Sequence, residues 1–311
     1  MLKQFQISSG KIAASTGAES TISLFVAPTE EERLYLTRTL GIDEYSLQSA
    51  LDPYEPARLK FEPGHTELFI KRPKRYSSQD NFLFKVESLG LFLFADKLVI
   101  LLDYEIPLFE TREFASVGSL QDAVLKIIFS AVMHFEEHIK VISMVSDELE
   151  RQINTSMQNR QLISMFTLEK SLVFYLNAIG SNGRVIEKIR SNTAKFGLSP
   201  ENLELLDDLT NENAQCLEMV QIYSQVLSSL MDARASLISN NLNIMMKNLN
   251  ALVISVAVPS FFAGMGGMSE FSNMIGFSHW KFGYAFFFCG MLLIGVGTFF
   301  IIKWIERFWK D

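Results

Sequence analysis

Three groups of residues have the types and spacing to do chemistry. The first is a stripe. Stepping back from Gly264 by alternating threes and fours gives Ser260, Ala257, Val253, Asn250, Met246, Asn243 and Ser239, which at helical spacing is one continuous face. Several copies of such a face around an axis would line a path for water and ions with rings of amide and hydroxyl groups. The same residues also suit close helix packing, with Asn as interhelical glue. The pattern alone leaves both readings open. The second group is His134-Phe-Glu-Glu-His138, the His-x-x-Glu-His spacing of inverted zinc peptidases, whose two imidazoles could share a metal. No acidic or glycine-rich segment offers an obvious third ligand, so the pair is expected to be a coincidence on an exposed helix face. The third is the run Asp207, Asp208, Glu212 and Glu218. Its carboxylates could hold a hard cation through oxygen or merely serve the dipole of a helix start.

The elements that position these groups are two apolar segments near the C-terminal end. Residues 251–268 and 282–302 carry no charge, and each is long enough to cross hydrocarbon, which takes about 20 residues at ~1.5 Å rise. The first continues, without a proline before Pro259, a polar-striped helix that opens at Ser199-Pro200, with Ser199 as N-cap. From Pro200 onward that makes on the order of 100 Å of helix. The second, with Phe286, Phe287, Phe288, Leu292, Leu293, Phe299 and Phe300 all round it, reads as a helix that touches lipid. Lys247 precedes the first span, and Lys303, Arg307 and Lys310 follow the second. By the positive-inside rule both termini are expected in the cytoplasm of a cell (inner) membrane protein with two passes. The polar start, MLKQFQISSGKIAAST, lacks the apolar core of a secretory signal.

The sequence around the turn between the spans carries a family resemblance. The segment Gly264-Met-Gly-Gly267-Met268-Ser269, then Glu270 and His279-Trp280-Lys281-Phe282-Gly283-Tyr284, resembles the CorA family of divalent-cation transport proteins. Those proteins end the first membrane helix with Gly-Met-Asn and open the second near Trp-x-x-Gly-Tyr. The match runs upstream through Leu230-Met-Asp232, Ser239-Asn240, Asn243 and Met246-Lys247, so it covers roughly the final third of the chain in detail.

The resemblance implies an α/β cytosolic sheet domain, a long helical stalk and two C-terminal transmembrane helices. It also implies a homopentamer in lipid that conducts Mg²⁺, with Co²⁺ and Ni²⁺ as further cargo. Asn243, Met246, Asn250, Ala257, Ser260 and Gly264 would then line the pore, and Gly267, Met268, Ser269 and Glu270 would form its mouth. Asp208 falls where similar members keep a regulatory Asp between subunits, so Mg²⁺ would be both cargo and regulator. One departure matters. Ser269 stands where the family has Asn and offers a shorter group with fewer hydrogen-bonding atoms, so a looser grip on the hydrated ion is expected. Two alternatives remain in view: a Zn²⁺ transporter of the same fold, and a membrane-anchored interaction protein that has lost transport. A lone extracytoplasmic His279 is too little for a soft-metal site.

In chain order the expected organisation is an α/β domain over 1–118, an antiparallel helical pair over 119–195, a stalk over 196–250, the first span at 251–268, an outer loop at 269–281, the second span at 282–302 and a tail at 303–311. Strands are expected at 21–26, 68–70, 82–86, 89–94 and 98–102. A helix with Thr29 as N-cap is expected at 29–40, with proline-broken chain at 51–59. In the helical pair, apolar residues recur at threes and fours from 120 to 153. A second helix covers 162–189, weakened at Gly180-Ser-Asn-Gly183. The 311 residues carry 48% hydrophobic content and a net charge of -7. An acidic chain with one basic cluster, Lys71, Arg72, Lys74 and Arg75, argues against nucleic-acid binding and for a solvated loop there. Neither a nucleotide-binding loop nor an organic cofactor motif is present, and no enzymatic activity is expected. Cys216 and Cys289 sit in unrelated settings and form no disulfide framework.

Overall fold

In the computed structural model, residues 1–15, 20–76, 81–155, 159–266 and 280–308 are described. The chain divides into two compact units, Met1–Met231 and Asp232–Asp311. In the first, seven strands form one sheet: β1 Leu2–Ser8, β2 Lys11–Ala14, β3 Ile22–Val26, β4 Arg58–Glu62, β5 His65–Pro73, β6 Val86–Leu93 and β7 Leu98–Leu102. Their spatial order is β2-β1-β3-β7-β6-β5-β4, with β3 and β7 parallel and the other neighbours antiparallel.

β3 and β7 are apolar almost without interruption because both of their faces are covered. Ile22, Leu24, Leu98 and Ile100 point to one core, shared with the long helices α3 (Leu120–Thr155) and α4 (Asn159–Arg190). Phe25, Val99 and Leu101 point to the other, beneath α1 (Glu30–Arg38) and α2 (Glu44–Leu51). Gly90 lets α2 approach: a Cβ there would stand 2.5 Å from that of Ala50. The capping signal at Thr29 forms in full, with Thr29 and Glu32 exchanging side-chain-to-backbone bonds.

The 82–86 strand is corrected. Asn81 and Phe82 have φ of 47° and 66°, so the chain turns there, and β6 starts only at Val86. The alternating Phe residues are satisfied by insertion rather than by a ladder: Phe84 is buried, stacks on Tyr76 at 4.4 Å, and donates its N–H to Ser171 Oγ of α4 at 2.9 Å. The polar start of the chain forms the β1–β2 hairpin, which pattern reading left unassigned. The basic cluster is also corrected, because Lys71 and Arg72 lie on β5 and not in a solvated loop. Lys71 is 5% exposed, and Arg72 pairs with Glu87 at 3.3 Å.

α4 runs unbroken through Gly180 and Gly183. The glycine at 183 makes room, since a Cβ there would meet Asn213 Nδ2 at 2.9 Å. Among the described residues, α4 is one of three helices long and apolar enough to cross a membrane. Its apolar residues Leu168, Leu172, Tyr175 and Ile179 are instead spent in the core of the first unit. After the short α5 (Thr193–Phe196), α6 runs from Pro200 to Gly266. Its start is capped as expected, with Ser199 Oγ accepting from the N–H of Asn202. Leu206, Leu209, Cys216, Val220 and Leu227 join the first core. The second unit consists of the rest of α6 and α7 (Trp280–Phe308).

Candidate ion pathway

In the second unit α6 has two unlike sides. Ala251 and Ser255 are buried at 1% and 7% exposure, and Val258 and Pro259 are half-buried. At α7 the answering residue is Gly295. A Cβ there would stand 3.1 Å from the Ser255 carbonyl oxygen and 3.2 Å from Pro259 Cγ. Pro259 has no N–H to offer the carbonyl four residues back, so the Ser255 carbonyl turns toward the glycine without its usual helical partner. Ser255 Oγ donates to Ala251 O at 2.6 Å, and Lys303 of α7 donates to Asn248 Oδ1. Asn248, Ala251, Ser255 and Pro259 are therefore the side that packs.

The stripe lies opposite. At ~100° per residue, Ser239, Met246, Asn250, Val253, Ala257, Ser260 and Gly264 fall within about 40° of the direction diametrically opposed to Ser255, and Asn243 within about 60°. Every one of them is exposed. Asn243 and Asn250 make no side-chain hydrogen bond within the described chain. Ser260 donates to Val256 O at 2.7 Å, which leaves its oxygen as an acceptor. Neutral oxygen groups of this kind suit a hard cation or its water shell. The flank of the helix pair is an apolar groove of about 710 Å³, lined by Leu252, Val256, Phe288, Leu292, Val296 and Phe300. The segments at Pro200–Met265 and Lys281–Ile305 both meet the length and hydropathy of a membrane span.

Gly267, Met268, Ser269 and Glu270, with His279, lie outside the described residues. Asp208 is exposed on α6 in the first unit, between the buried Leu206 and Leu209. Its neighbour Asp207 pairs with Arg190 at 3.3 Å. Among the described residues no three His, Cys, Asp or Glu side chains gather as a metal site.

The His134–His138 pair is not on an exposed face, contrary to expectation. The rings meet edge to face at 4.5 Å. His138 Nδ1 lies 2.7 Å from the Tyr175 hydroxyl, and His134 Nδ1 lies 3.5 Å from the Arg72 guanidinium. Burial, with Arg72 nearby, pushes both imidazoles down to about 4. A cation beside His134 and a hydroxyl on His138 make this a core polar cluster rather than a peptidase centre. Burial also pushes Glu87 up to about 7 against the pull of Tyr104 and Arg72. The Cys216 thiol rises to about 12, which leaves it inert.

The description "CorA-like Mg2+ transporter protein" belongs to the family model that matches residues 24–304. The chain belongs to the CorA-like family. It is 22% identical over 263 residues to the cobalt/magnesium transport protein CorA of Methanocaldococcus jannaschii, covering 78% of this chain and 77% of that protein. The complete structure of the CorA magnesium transporter from the same organism superposes with a TM-score of 0.74 at 20% identity, over 98% of this chain and 96% of the other. The ZntB cytoplasmic domain from Vibrio parahaemolyticus gives 0.60 at 12% identity, over 78% and 97%. The CorA-like fold is thus the sheet domain, long helix and apolar C-terminal helices described above, in a family of divalent-cation transporters.

What pattern reading missed was the packed side of α6. Its signal was present in Gly295 of α7 and in Pro259, small or ring-shaped residues that permit close approach.

Proposed function

We propose that five copies of this chain enclose a divalent-cation path, with Asn243, Met246, Asn250, Ala257, Ser260 and Gly264 of each α6 facing the axis. Gly267, Met268, Ser269 and Glu270 form the outer mouth. Mg²⁺ sheds its water reluctantly, so the amide and hydroxyl rings hold it as a hydrated ion through outer-shell hydrogen bonds. Five Glu270 carboxylates concentrate cations at the mouth, and Ser269 grips them less selectively than an amide does. Cytosolic Mg²⁺ bound at Asp208 between neighbouring copies favours the closed arrangement to the extent that opening removes the site. Both termini lie in the cytoplasm.

The observation that carries this reading is the position of the stripe. A helix pair that used its polar face for internal packing would bury Ala257 and Ser260, whereas here both are exposed and Ser255 and Pro259 take the contact. The test is flux of Mg²⁺, Co²⁺, Ni²⁺ and Zn²⁺ into vesicles holding the native protein or Ser269→Asn. Comparable uptake of the first three, narrowing toward Mg²⁺ in the variant, is the expected result. Zn²⁺ uptake alone would assign the chain to zinc, and no uptake of any ion would leave only an anchored cytosolic domain.

A further inference from the structure

In the first unit, a pocket of about 540 Å³ opens between the α2–β4 connection, the neighbouring ends of β5 and β6, and α4. Its floor is Lys71. The residue is 5% exposed, and its ammonium group donates to the carbonyls of Asp52 and Pro53 at 3.3 and 2.9 Å, and to Ser88 Oγ at 2.5 Å. All three acceptors are neutral, and Lys71 has no ion-pair partner among the described residues. The carboxylates of Asp52 and Glu55 favour its charge without pairing with it, Glu55 being held by Arg58 at 2.7 Å, and burial outweighs both. A buried charge so incompletely balanced is costly, and an opposite charge brought beside it recovers part of that cost.

Three further cations, Lys74, Lys85 and Arg184, line the same cavity. Two carboxylates also face it, Asp103 and Glu87, and Glu87 is already engaged by Arg72 at 3.3 Å. The cavity is cationic on balance in a chain whose net charge is -7. Pro53, Pro56, Phe174 and Tyr54 add apolar surface to the lining. Tyr54 is 88% exposed, an unusual setting for a large ring, and its backbone is fixed by donation of its N–H to Asp52 Oδ1 at 2.8 Å. An apolar shelf beside a few converging polar groups, in a cavity of this size, is the makeup of a small-molecule site.

We propose that this pocket binds a phosphate monoester, the phosphate above Lys71 and between Lys74, Lys85 and Arg184, the organic body against Tyr54. A phosphate monoester carries close to two negative charges at neutral pH and several acceptor oxygens. That matches converging lysines and an arginine fork better than a single carboxylate does. Binding here is independent of whether the chain conducts ions.

The experiment is calorimetric titration of the full-length protein in detergent, stripped of divalent cations, with AMP, adenosine and inorganic phosphate as probes. AMP is expected to bind, phosphate to bind more weakly and adenosine not at all. Phosphate binding as tightly as AMP would identify the free anion as the ligand. Arg184→Ala, at an exposed position, is expected to weaken AMP and phosphate by about tenfold or more, as loss of a charge-assisted contact does. Tyr54→Ala weakens AMP alone. Because Lys71 is held down to about 8 by burial, an anion beside it raises that value. Binding at pH 8 then takes up protons, seen as a dependence of the heat on buffer. Adenosine binding as well as AMP, no binding of AMP or phosphate, or full binding in Arg184→Ala each overturn the proposal.

Discussion

Asn182 of α4 stands in for a missing β-strand beside Lys71 of β5. Its amide oxygen accepts the Lys71 N–H at 2.8 Å and its amide nitrogen donates to the Lys71 carbonyl at 2.7 Å. β4 pairs with β5 only as far as Arg58↔Phe69, so both backbone groups of Lys71 on that side lack a strand partner. Asn182 is itself fully buried. Replacing it with Ala leaves two buried backbone groups unsatisfied, at about 1–3 kcal/mol each. Asn182→Ala is expected to lower the unfolding free energy of the first unit by that combined amount, seen as a lower denaturation midpoint. Asn182→Asp keeps the acceptor, turns the donor into a repulsive oxygen, and is expected to be at least as harmful. An unchanged midpoint in both variants would mean that water replaces the amide at no cost.

The contact of Gly295 with Ser255 and Pro259 predicts an ordering among glycine variants of α7. Gly295→Ala places a Cβ 3.1 Å from a backbone oxygen that cannot swing aside, so the helices must part by a few tenths of an ångström. Overpacking of this sort costs about 1–3 kcal/mol, and Gly295→Leu should cost more. Gly290 and Gly297 have nothing within 4 Å of the added atom, so Gly290→Ala and Gly297→Ala should be near neutral in thermal stability within the single chain. Loss of stability at 290 or 297 comparable to that at 295 would place a second contact on α7.

Acid should unfold the first unit through the two histidines. Their native values of about 4 lie below the usual 6.5, so between those limits the unfolded chain binds more protons, and stability is lost as pH falls through that window. It is fully present above about 6.5. Glu87, pushed up to about 7, works in the other direction over part of the same range, because its native form holds a proton that the unfolded form releases. The histidine contribution is therefore read by difference. The double variant His134→Gln, His138→Gln should show a shallower fall in denaturation midpoint from pH 7 to pH 4.5 than the native chain. Equal slopes would show that neither imidazole is held neutral by burial.

Which features the sequence made legible follows from how local their physics is. The capping box at Thr29, the Ser199 cap and the period of α3 rest on residues within one or two turns of each other, and each appears as expected. The strands at 98–102 and 21–26 were legible because burial on both faces leaves an apolar run. The β1–β2 hairpin was not, since as an outer hairpin it is half-polar, with Phe5 and Ile7 its main apolar anchors. Lys71 and Arg72 looked like solvated charge because the carbonyls of Asp52 and Pro53, Ser88 and Glu87 that receive them come from distant parts of the chain. Asn182 looked like a helix weakness for the same reason. The stripe on α6 was legible as a face, but only Gly295 and Pro259 in three dimensions say that the opposite side is the one that packs.

A conduction path along the stripe sets apart substitutions on the same helix by direction. Asn250→Leu removes an unpartnered amide and puts a branched hydrocarbon in its place on the side opposite Ser255. Replicated five times, it should dewet the path and cut Mg²⁺ flux by about tenfold or more. Ile254→Leu, one turn on but off the stripe, conserves volume and should leave flux unchanged. Similar losses from both would indicate a packing role for this stretch in place of a lining one.

Asp208 and Asp207 are adjacent and both exposed, yet among the described residues only Asp207 has an ion-pair partner, Arg190 at 3.3 Å. A free carboxylate between the buried Leu206 and Leu209 is available to a cation shared with a neighbouring copy. An exposed ion pair such as Asp207–Arg190 contributes about 0–1 kcal/mol. Asp208→Ala should therefore relieve inhibition of flux by internal Mg²⁺, moving the half-inhibiting concentration upward, while Asp207→Ala should leave that concentration in place and change stability little. The measurement is uptake into vesicles preloaded with graded Mg²⁺. If the two variants respond to internal Mg²⁺ as the native chain does, neither carboxylate senses the ion, and the acidic start of α6 serves only its helix dipole.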